Sequence, residues 1–214
     1  MPNLLIVGAG FVADFYFASL KLHPDLTVAG VFDRDAARLQ QSCAYWQVPA
    51  AESFEALLAR GEPGDLVLNL TNPASHYEVS RACLEAGFHV WSEKPLATEM
   101  PQAAELVELA AARGLRIAAA PCSFLGEAAQ TLWAAVREDV AGPIRLVYAE
   151  MDDDFVPGAP WHRWIGESGA PWPGKDEFEV GCTLEHAGYW LTWLLPIFGP
   201  VRTVAAASAH QIPK

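Results

Sequence analysis

Short, wholly apolar runs alternate with helix-like segments throughout the first 120 residues. The pattern predicts strands at 4–7, 27–32, 66–70, 88–91 and 115–120, and helices at 11–22, 35–44, 53–60, 75–86 and 97–113. Strands without polar positions need cover on both faces, which a parallel sheet between two helix layers supplies. The sequence therefore predicts an α/β fold with a doubly wound parallel sheet over residues 1–120.

A glycine-rich turn, Gly8-Ala9-Gly10-Phe11-Val12-Ala13, joins the first predicted strand to the first helix. Such a turn brings backbone N–H groups and the positive helix end towards a pyrophosphate. Asp33 ends the second strand, 20 residues beyond Ala13, where a carboxylate can bind a ribose. This Rossmann pattern predicts a dinucleotide site that includes Gly8, Gly10, Phe11, Val12 and Asp33. Asp33 favours NAD, whereas Arg34 beside it would suit NADP; the alternative is a structural turn with a surface aspartate.

Two further turns follow the third and fourth strands. The third strand leads into Thr71-Asn72-Pro73-Ala74-Ser75-His76, and the fourth into Ser92-Glu93-Lys94-Pro95. With the glycine turn, this series resembles the Gfo/Idh/MocA family of nicotinamide-dependent oxidoreductases. The resemblance implies that Thr71, Asn72 and His76 line the nicotinamide half of the cofactor site. It places Glu93 near the nicotinamide ribose and Lys94 at both the cofactor and the substrate oxygen.

Lys94 has a chemical role that agrees with this resemblance. An ammonium group beside a reacting carbonyl or alcohol stabilises developing alkoxide charge and can relay a proton. Its turn follows a strand at the carboxyl edge of the predicted sheet, where such folds bind ligands. The alternative is a solvated Glu-Lys pair on a strand-end turn.

The pattern changes after Pro121 and predicts a partial α+β second domain over residues 121–214. The family resemblance implies that this is the start of a substrate or dimerisation domain, either a shortened version or a fragment of a longer one. Helices are predicted at 127–139 and 184–198, and strands at 144–150 and 201–208. Residues 151–181 form a long irregular segment rich in Pro, Gly and Trp. Trp161, Trp164 and Trp172 favour an ordered loop, as a pocket wall or as core anchors.

Glu185, His186 and Tyr189 are the remaining catalytic candidates. In the resembling family, this region carries an aspartate and a histidine that flank the substrate. Glu185 stands at the aspartate position and Tyr189 near the histidine position, while His186 follows the acid directly. Helical spacing places all three on one flank, and Lys94 is expected to lower the pKa of Tyr189 into a useful range. His186 and Tyr189 remain alternatives for the acid/base, and His186 could instead be a structural cap.

A second feature of the same helix is an apolar stripe. It consists of Leu184, Ala187, Leu191, Leu194, Leu195 and Phe198. Their spacing of three to four residues predicts that the stripe belongs to the core.

Charge and cysteine usage exclude several function classes. The formal net charge of −12 disfavours nucleic acid and membrane partners. The four cysteines are far apart, so they offer neither a zinc site nor a disulfide framework. Asp152, Asp153 and Asp154 lack a spaced histidine and are expected to be solvated, so no metal site is predicted. Without a signal peptide or a membrane-spanning run, the chain is expected to be cytoplasmic.

These observations predict an oxidoreductase that transfers a hydride between NAD(P)(H) and an alcohol carbon of a sugar, cyclitol or similar small polyol. One alternative is an enzyme that oxidises its substrate transiently to assist elimination or glycoside cleavage. Another is a non-catalytic, dinucleotide-binding regulator or partner subunit. A homo-oligomer formed through the second-domain sheet is also expected.

Overall fold

A five-stranded parallel sheet organises the first half of the chain. The computed structural model describes residues 3–150, 155–207 and 209. The strands are β1 (Asn3–Val7), β2 (Thr27–Phe32), β3 (Leu66–Asn69), β4 (His89–Ser92) and β5 (Ile117–Ala119), in the spatial order β2-β1-β3-β4-β5. All four pairings are parallel. The predicted α/β Rossmann fold is confirmed.

Helices connect the strands and cover the sheet. They are α1 (Phe11–Leu20), α2 (Ala36–Trp46), α3 (Phe54–Leu58), α4 (Pro73–Glu85) and α5 (Met100–Ala112). Local sequence explains several of their ends. The Asp35 and Ser53 side chains accept N–H groups at the starts of α2 and α3, and Pro73 occupies the first position of α4, where its missing N–H costs nothing.

The sheet separates two buried clusters because successive strand residues face opposite sides. Leu5 and Val7 of β1 point into one cluster, packed against α3, α4 and α5 through residues such as Leu84 and Leu106. Ile6, between them in sequence, points into the other cluster, with Phe17 of α1 among its members. The wholly apolar strand runs are thus explained by burial on both faces.

The second half of the chain, as far as it is described, is helical. It contains α6 (Glu127–Arg137), α7 (Gly174–Val180), α8 (Cys182–His186) and α9 (Gly188–Phe198), with short 3₁₀ turns at Val156–Gly158 and Trp161–Arg163. Residues 144–150 and 201–207 form no strand, contrary to expectation. A strand needs a neighbour to complete its hydrogen bonds, and within the described ranges none pairs with these segments; Leu146 is 85% exposed. Homo-oligomerisation stays a prediction.

Two further expectations for this region are wrong. The single helix expected at 184–198 is divided into α8 and α9 at Ala187–Gly188, because glycine supports a helix poorly. The apolar stripe on it is not core: Leu184, Leu191 and Leu195 are exposed, and the buried residue of α9 is Ile197. No described element packs over the stripe closely enough to bury it.

The segment predicted to be wholly irregular contains α7, which aromatic packing holds in place. The rings of Trp161, Trp164, Trp172 and Phe178 contact one another with centroid separations of 5.1 to 6.1 Å. The tryptophans are therefore anchors that pack on a helix rather than the walls of a pocket. Asp152, Asp153 and Asp154 lie outside the described residues.

A buried carboxylate ties this segment to the sheet domain. Asp14 of α1 is 4% exposed and accepts hydrogen bonds from the Ser168 backbone N–H at 3.0 Å and the Trp46 indole N–H at 2.6 Å. An unpaired buried carboxylate would be costly, so these donors stabilise the contact. The segment before α7 is thereby fixed against α1.

Adjacent positions on α5 provide a test of this core. Leu106 is fully buried in the cluster on that face, whereas Val107 is 53% exposed. We expect Leu106→Ala to lower the free energy of unfolding by about 2–5 kcal/mol, and Val107→Ala to change it by less than about 0.5 kcal/mol. Urea denaturation measures both, and equal effects would contradict the assigned faces.

Candidate functional site

One row of paired residues aligns the carboxyl ends of the five strands. Phe32 pairs with Val7, Val7 with Asn69, Asn69 with Ser92, and Ser92 with Ala119. The next residue on each strand therefore lies at a common edge of the sheet. In the sheet, β2 and β3 lie on opposite sides of β1. The strand order therefore reverses at β1, and this edge contains a topological switch point, the place where such sheets bind ligands.

The glycine turn after β1 has the shape that a dinucleotide requires. Gly8 has φ +102°, and a Cβ placed there would overlap the Leu70 backbone. A Cβ on Gly10 would meet nothing within 4 Å, so the space beside the start of α1 is open. No described side chain caps that end, which leaves the first N–H groups of α1, including those of Phe11 and Val12, facing a ligand. The residues present fit a bound pyrophosphate.

Asp33 stands at the end of β2, beside this turn. It is 8% exposed and accepts hydrogen bonds from the backbone N–H groups of Ala9 and Asp35, both at 2.8 Å. These bonds fix the carboxylate next to the pyrophosphate cradle. Arg34 is exposed, whereas Arg38 of α2 lies 3.7 Å from Asp33. Arg38 is thus a basic group at this end of the site that sequence reasoning did not identify.

A buried amide and a buried imidazole organise the turn after β3. Asn69 is fully buried, accepts the Thr71 hydroxyl at 2.6 Å and donates to the His76 carbonyl at 3.0 Å. The His76 ring is also fully buried, with Nε2 2.8 Å from the Thr71 carbonyl and Nδ1 2.7 Å from the Pro95 carbonyl. Burial lowers the pKa of His76, and the two carbonyls oppose that effect. His76 was expected to line the cofactor site, but it has no exposed surface and instead joins the β3 and β4 turns.

The turn after β4 is held by a hydrogen-bonded chain of side chains. The Trp91 indole N–H donates to the Tyr16 hydroxyl at 2.8 Å, and this hydroxyl donates to Glu93 at 2.7 Å. The other Glu93 oxygen accepts the Lys94 backbone N–H at 3.1 Å. Burial and the neighbouring Glu93 raise the pKa of Tyr16, so it stays a donor. Glu93 is thereby oriented at the sheet edge, and the Lys94–Pro95 peptide that follows is cis.

Lys94 forms an ion pair with two carboxylates from the second half of the chain. Its Nζ lies 3.3 Å from Glu177 of α7 and contacts Glu185 of α8 directly. The Glu185 side chain is 2% exposed, and those of Lys94 and Glu177 are 19% exposed. Burial lowers the pKa of Lys94, but the bond to Glu185 and the charge of Glu177 outweigh it, so the net shift is upward. Lys94 therefore remains an ammonium group.

Tyr189 and His186 lie next to this cluster with their ring centroids 6.2 Å apart. Charge interactions connect Tyr189 directly with Lys94. Lys94 was expected to lower the pKa of Tyr189 into a useful range. The ammonium does act in that direction, but the net shift of the pKa is upward, so the expectation is wrong. Burial raises that pKa, and three neighbouring glutamates add to the rise, which outweighs the ammonium. Tyr189 is therefore a hydroxyl donor at neutral pH.

The residues that sequence reasoning missed are mainly those of α7. Glu177 pairs with Lys94, and Asp176 accepts a hydrogen bond from the Asn72 amide. Asn72 thereby connects the turn after β3 with α7. The stretch Lys175 to Val180 carries a short helical pattern of acids and apolar residues, but the surrounding prolines, glycines and tryptophans obscured it. Asn69 and Tyr16 were missed for another reason. Asn69 lies within strand β3 and Tyr16 lies on helix α1, whereas the motifs mark the turns between such elements.

Comparison with known proteins identifies the family. A sequence model described as the oxidoreductase family with an NAD-binding Rossmann fold, Gfo/Idh/MocA, matches residues 3–120, more than half of the chain. The chain belongs to the Gfo/Idh/MocA oxidoreductase family. The resemblance inferred from the three strand-end turns is confirmed, as is a nicotinamide dinucleotide as the cofactor of the family.

Curated relatives cover much of this chain but are longer. An uncharacterized oxidoreductase of Synechocystis is 24% identical over 210 residues, covering 96% of this chain and 54% of the relative. UDP-N-acetylglucosamine 3-dehydrogenase of Acidithiobacillus ferrooxidans is 30% identical over 152 residues, covering 71% of this chain and 46% of the relative. The chain thus spans about half the length of the curated relatives it matches.

Solved structures of the family give a similar result. The WlbA dehydrogenase of Chromobacterium violaceum, in complex with NADH and UDP-GlcNAcA, is 26% identical with a TM-score of 0.69, covering 93% of this chain and 56% of that one. A point mutant of KijD10, a 3-ketoreductase from Actinomadura kijaniata in complex with TDP-benzene and NADP, is 28% identical with a TM-score of 0.57 and covers 67% of this chain and 44% of that one.

The described residues contain neither a metal-binding cluster nor a helix suited to a membrane. Within residues 3–150, 155–207 and 209, no group of three or more His, Cys, Asp or Glu side chains could hold a metal ion. None of the helices in the same ranges is long and apolar enough to cross a membrane.

The two glycines of the first turn allow folding and binding to be separated. Gly8→Ala forces a side chain into the Leu70 backbone at a positive φ, so we expect it to lower the free energy of unfolding by about 2 kcal/mol or more. Gly10→Ala points into open space, so stability should change by less than about 0.5 kcal/mol while NADH binding weakens about tenfold or more. Denaturation and calorimetric titration measure the two effects. Unchanged NADH affinity in Gly10→Ala would contradict the proposed cradle.

Proposed function

We propose that this protein is an NAD(P)-dependent oxidoreductase that transfers a hydride between the nicotinamide and an alcohol carbon of a sugar, cyclitol or similar small polyol. The observation that carries the proposal is the Lys94 ammonium, held by Glu185 at the sheet edge that also carries the glycine turn. A bound dinucleotide supplies the hydride acceptor or donor. The protein supplies position, charge and proton transfer.

Lys94 is the residue assigned to the reacting oxygen. Oxidation of an alcohol builds negative charge on that oxygen as the hydride leaves, and a fixed ammonium stabilises this charge. The pairing with Glu185 orients the ammonium, and because its pKa is raised, it is positively charged at neutral pH. Glu185 is the orienting residue of the pair, since its own carboxylate is almost fully buried.

Tyr189 is favoured over His186 as the second group at the reacting oxygen. Tyr189 is close enough to Lys94 for the ammonium charge to act on its pKa, and the phenol remains protonated at neutral pH. A protonated hydroxyl beside an ammonium can donate a second hydrogen bond to a developing alkoxide. The ring of His186 lies beside that of Tyr189, with their centroids 6.2 Å apart.

The order of the strand ends supports the placement of the cofactor. Asp33 at one side would bind the adenosine ribose, Gly8, Gly10, Phe11 and Val12 the pyrophosphate, and the turns with Thr71, Asn72 and Glu93 the nicotinamide half. The buried Asp33 carboxylate favours NAD, because it would repel a 2′-phosphate. Arg34 and Arg38 are the groups that would accommodate NADP.

A cleft next to α7, close in sequence to the acids that pair with Lys94, has a lining suited to a polyhydroxylated substrate. It has a volume of about 270 Å³ and runs between the start of α4 and helices α7 and α8. Its lining includes the side chains of Thr98, Glu99 and Asp176. Carboxylates and hydroxyls accept hydrogen bonds from substrate hydroxyl groups, whereas the acidic lining disfavours a phosphate at this position. UDP-N-acetylglucosamine 3-dehydrogenase and the WlbA complex supply family examples of sugar substrates.

Replacing Lys94 tests this function. Lys94→Met keeps the length of the side chain but removes the charge, so turnover of a polyol that the wild type oxidises should fall by about 10²- to 10⁴-fold. The absorbance of reduced nicotinamide, measured over a panel of sugars and cyclitols, reports turnover. Lys175→Met is the matched control, because Lys175 is 85% exposed, and it should retain wild-type turnover.

Calorimetry with NADH separates the alternatives. Lys94→Met should bind NADH within about twofold of the wild type, since its main loss is in the chemical step. A folded wild type that binds NADH but oxidises no member of the panel would favour a regulator or partner subunit. Tightly retained cofactor with substrate cleavage and no net reduction would favour transient oxidation.

A further inference from the structure

Glu177 is a partly buried acid at the catalytic candidate Lys94 for which the proposed hydride transfer has so far provided no role. Its carboxyl lies 3.3 Å from Lys94 Nζ, and its side chain is 19% exposed. It is also within hydrogen-bonding reach of Glu185. One ammonium group therefore faces two carboxyl groups, and the two carboxyls face each other.

The two carboxyl groups of Glu177 and Glu185 can bind one proton between them. Two ionised carboxylates in contact repel each other, and a proton on one of them converts the repulsion into a hydrogen bond. Glu185 is the better-paired member, because it contacts Lys94 directly and is nearly fully buried. Its second oxygen, Oε1, is buried without a hydrogen-bond donor among the described residues. A protonated Glu177 can supply that donor.

We propose that Glu177 is the terminal proton acceptor of the reaction, acting through Lys94. This inference rests on the proposed function. As the hydride leaves the substrate carbon for the oxidised nicotinamide, Lys94 Nζ passes one of its ammonium protons to Glu177, and the substrate hydroxyl proton takes its place on Nζ. The C–H and O–H bonds break, a C=O bond forms, Lys94 ends as an ammonium group and Glu177 ends as a carboxylic acid. Reduction runs these steps in reverse.

The other groups around Lys94 are less suited to accept this proton. Lys94 itself has a raised pKa and stays protonated, and Tyr189 on α9 also has a raised pKa and keeps its proton. Glu177 differs: burial first, then the hydrogen bond with Glu185, raises its pKa to about 7, although Lys94 opposes the shift. A base that titrates near the working pH is the most effective in proton transfer.

The charged groups that face Glu177 come from four elements. Lys94 approaches from the turn after β4, Glu185 from α8 and Tyr189 from α9. Asp176 and Glu179 are on its own helix, where Glu179 pairs with the exposed Lys175 and Asp176 with the Asn72 amide. Burial, together with the neighbouring Glu185, therefore raises the pKa of Glu177 more than the one ammonium group lowers it.

The test compares Glu177→Gln and Glu177→Asp with a control, Glu108→Gln. Glu108 is an exposed acid on α5, outside the site. Oxidation of a polyol by the wild type requires ionised Glu177, so kcat should rise with pH through a midpoint near 7, and the reduction rate should fall. Glu177→Gln should lower kcat by about 10²-fold, with little change in KM, and abolish this inflection. Glu177→Asp should keep the inflection at a lower rate, and the control should match the wild type.

A second measurement does not depend on turnover. In the cofactor-free chain labelled with ¹³C at the glutamate carboxyls, one resonance should titrate near pH 7 and be absent from Glu177→Gln but present in Glu108→Gln. An unchanged pH profile in an active Glu177→Gln, or no such resonance in the wild type, would overturn the inference. A wild type that shows the resonance but oxidises no polyol would instead overturn the proposed function, and with it the role of Glu177 as acceptor in that reaction.

Discussion

Lys94 joins the two halves of this molecule through its charge. The residue follows β4 of the parallel sheet, and both of its carboxylate partners come from helices more than 80 positions later. Removing one partner from a buried ion pair typically costs about 3–5 kcal/mol, because the other charge stays desolvated. The positions of α7 and α8 over the sheet edge are therefore linked to the charge on a single ammonium group.

Other contacts hold α7 and the segment before it against the sheet domain, and so keep Lys94 and its carboxylate partners together. The tryptophan and phenylalanine rings brace α7, Asp14 holds the preceding segment by the Ser168 backbone, and Asn72 reaches Asp176. Each contact crosses from one half of the chain to the other or fixes the element that does so. The ionisable cluster needs this support, because like charges alone would drive α7 and α8 away from each other.

The sheet domain could be predicted from sequence because its determinants are local. Apolar runs, the glycine turn and the residues that follow β3 and β4 carry their own signals, and parallel pairing then aligns them at one edge. The site beyond the sheet depends on long-range packing instead. Glu177 was hidden in a segment whose prolines and tryptophans suggested an irregular loop. The expected pKa change at Tyr189 was reversed by burial, and by glutamates that only the fold brings near. The strands expected at 144–150 and 201–208 are absent from the described residues 144–150 and 201–207 for a similar reason, since a strand's own residues do not specify its pairing partner.

The imidazole of His76 has a mechanical consequence. Its two nitrogens contact the carbonyls of Thr71 and Pro95, so one fully buried ring spans the turn after β3 and the turn that carries the lysine. The ring contacts both turns in a close-packed interior, so neither turn can shift without displacing it. The turn after β3 and the turn that carries Lys94 are therefore held at a fixed spacing by the protein itself, before any ligand enters.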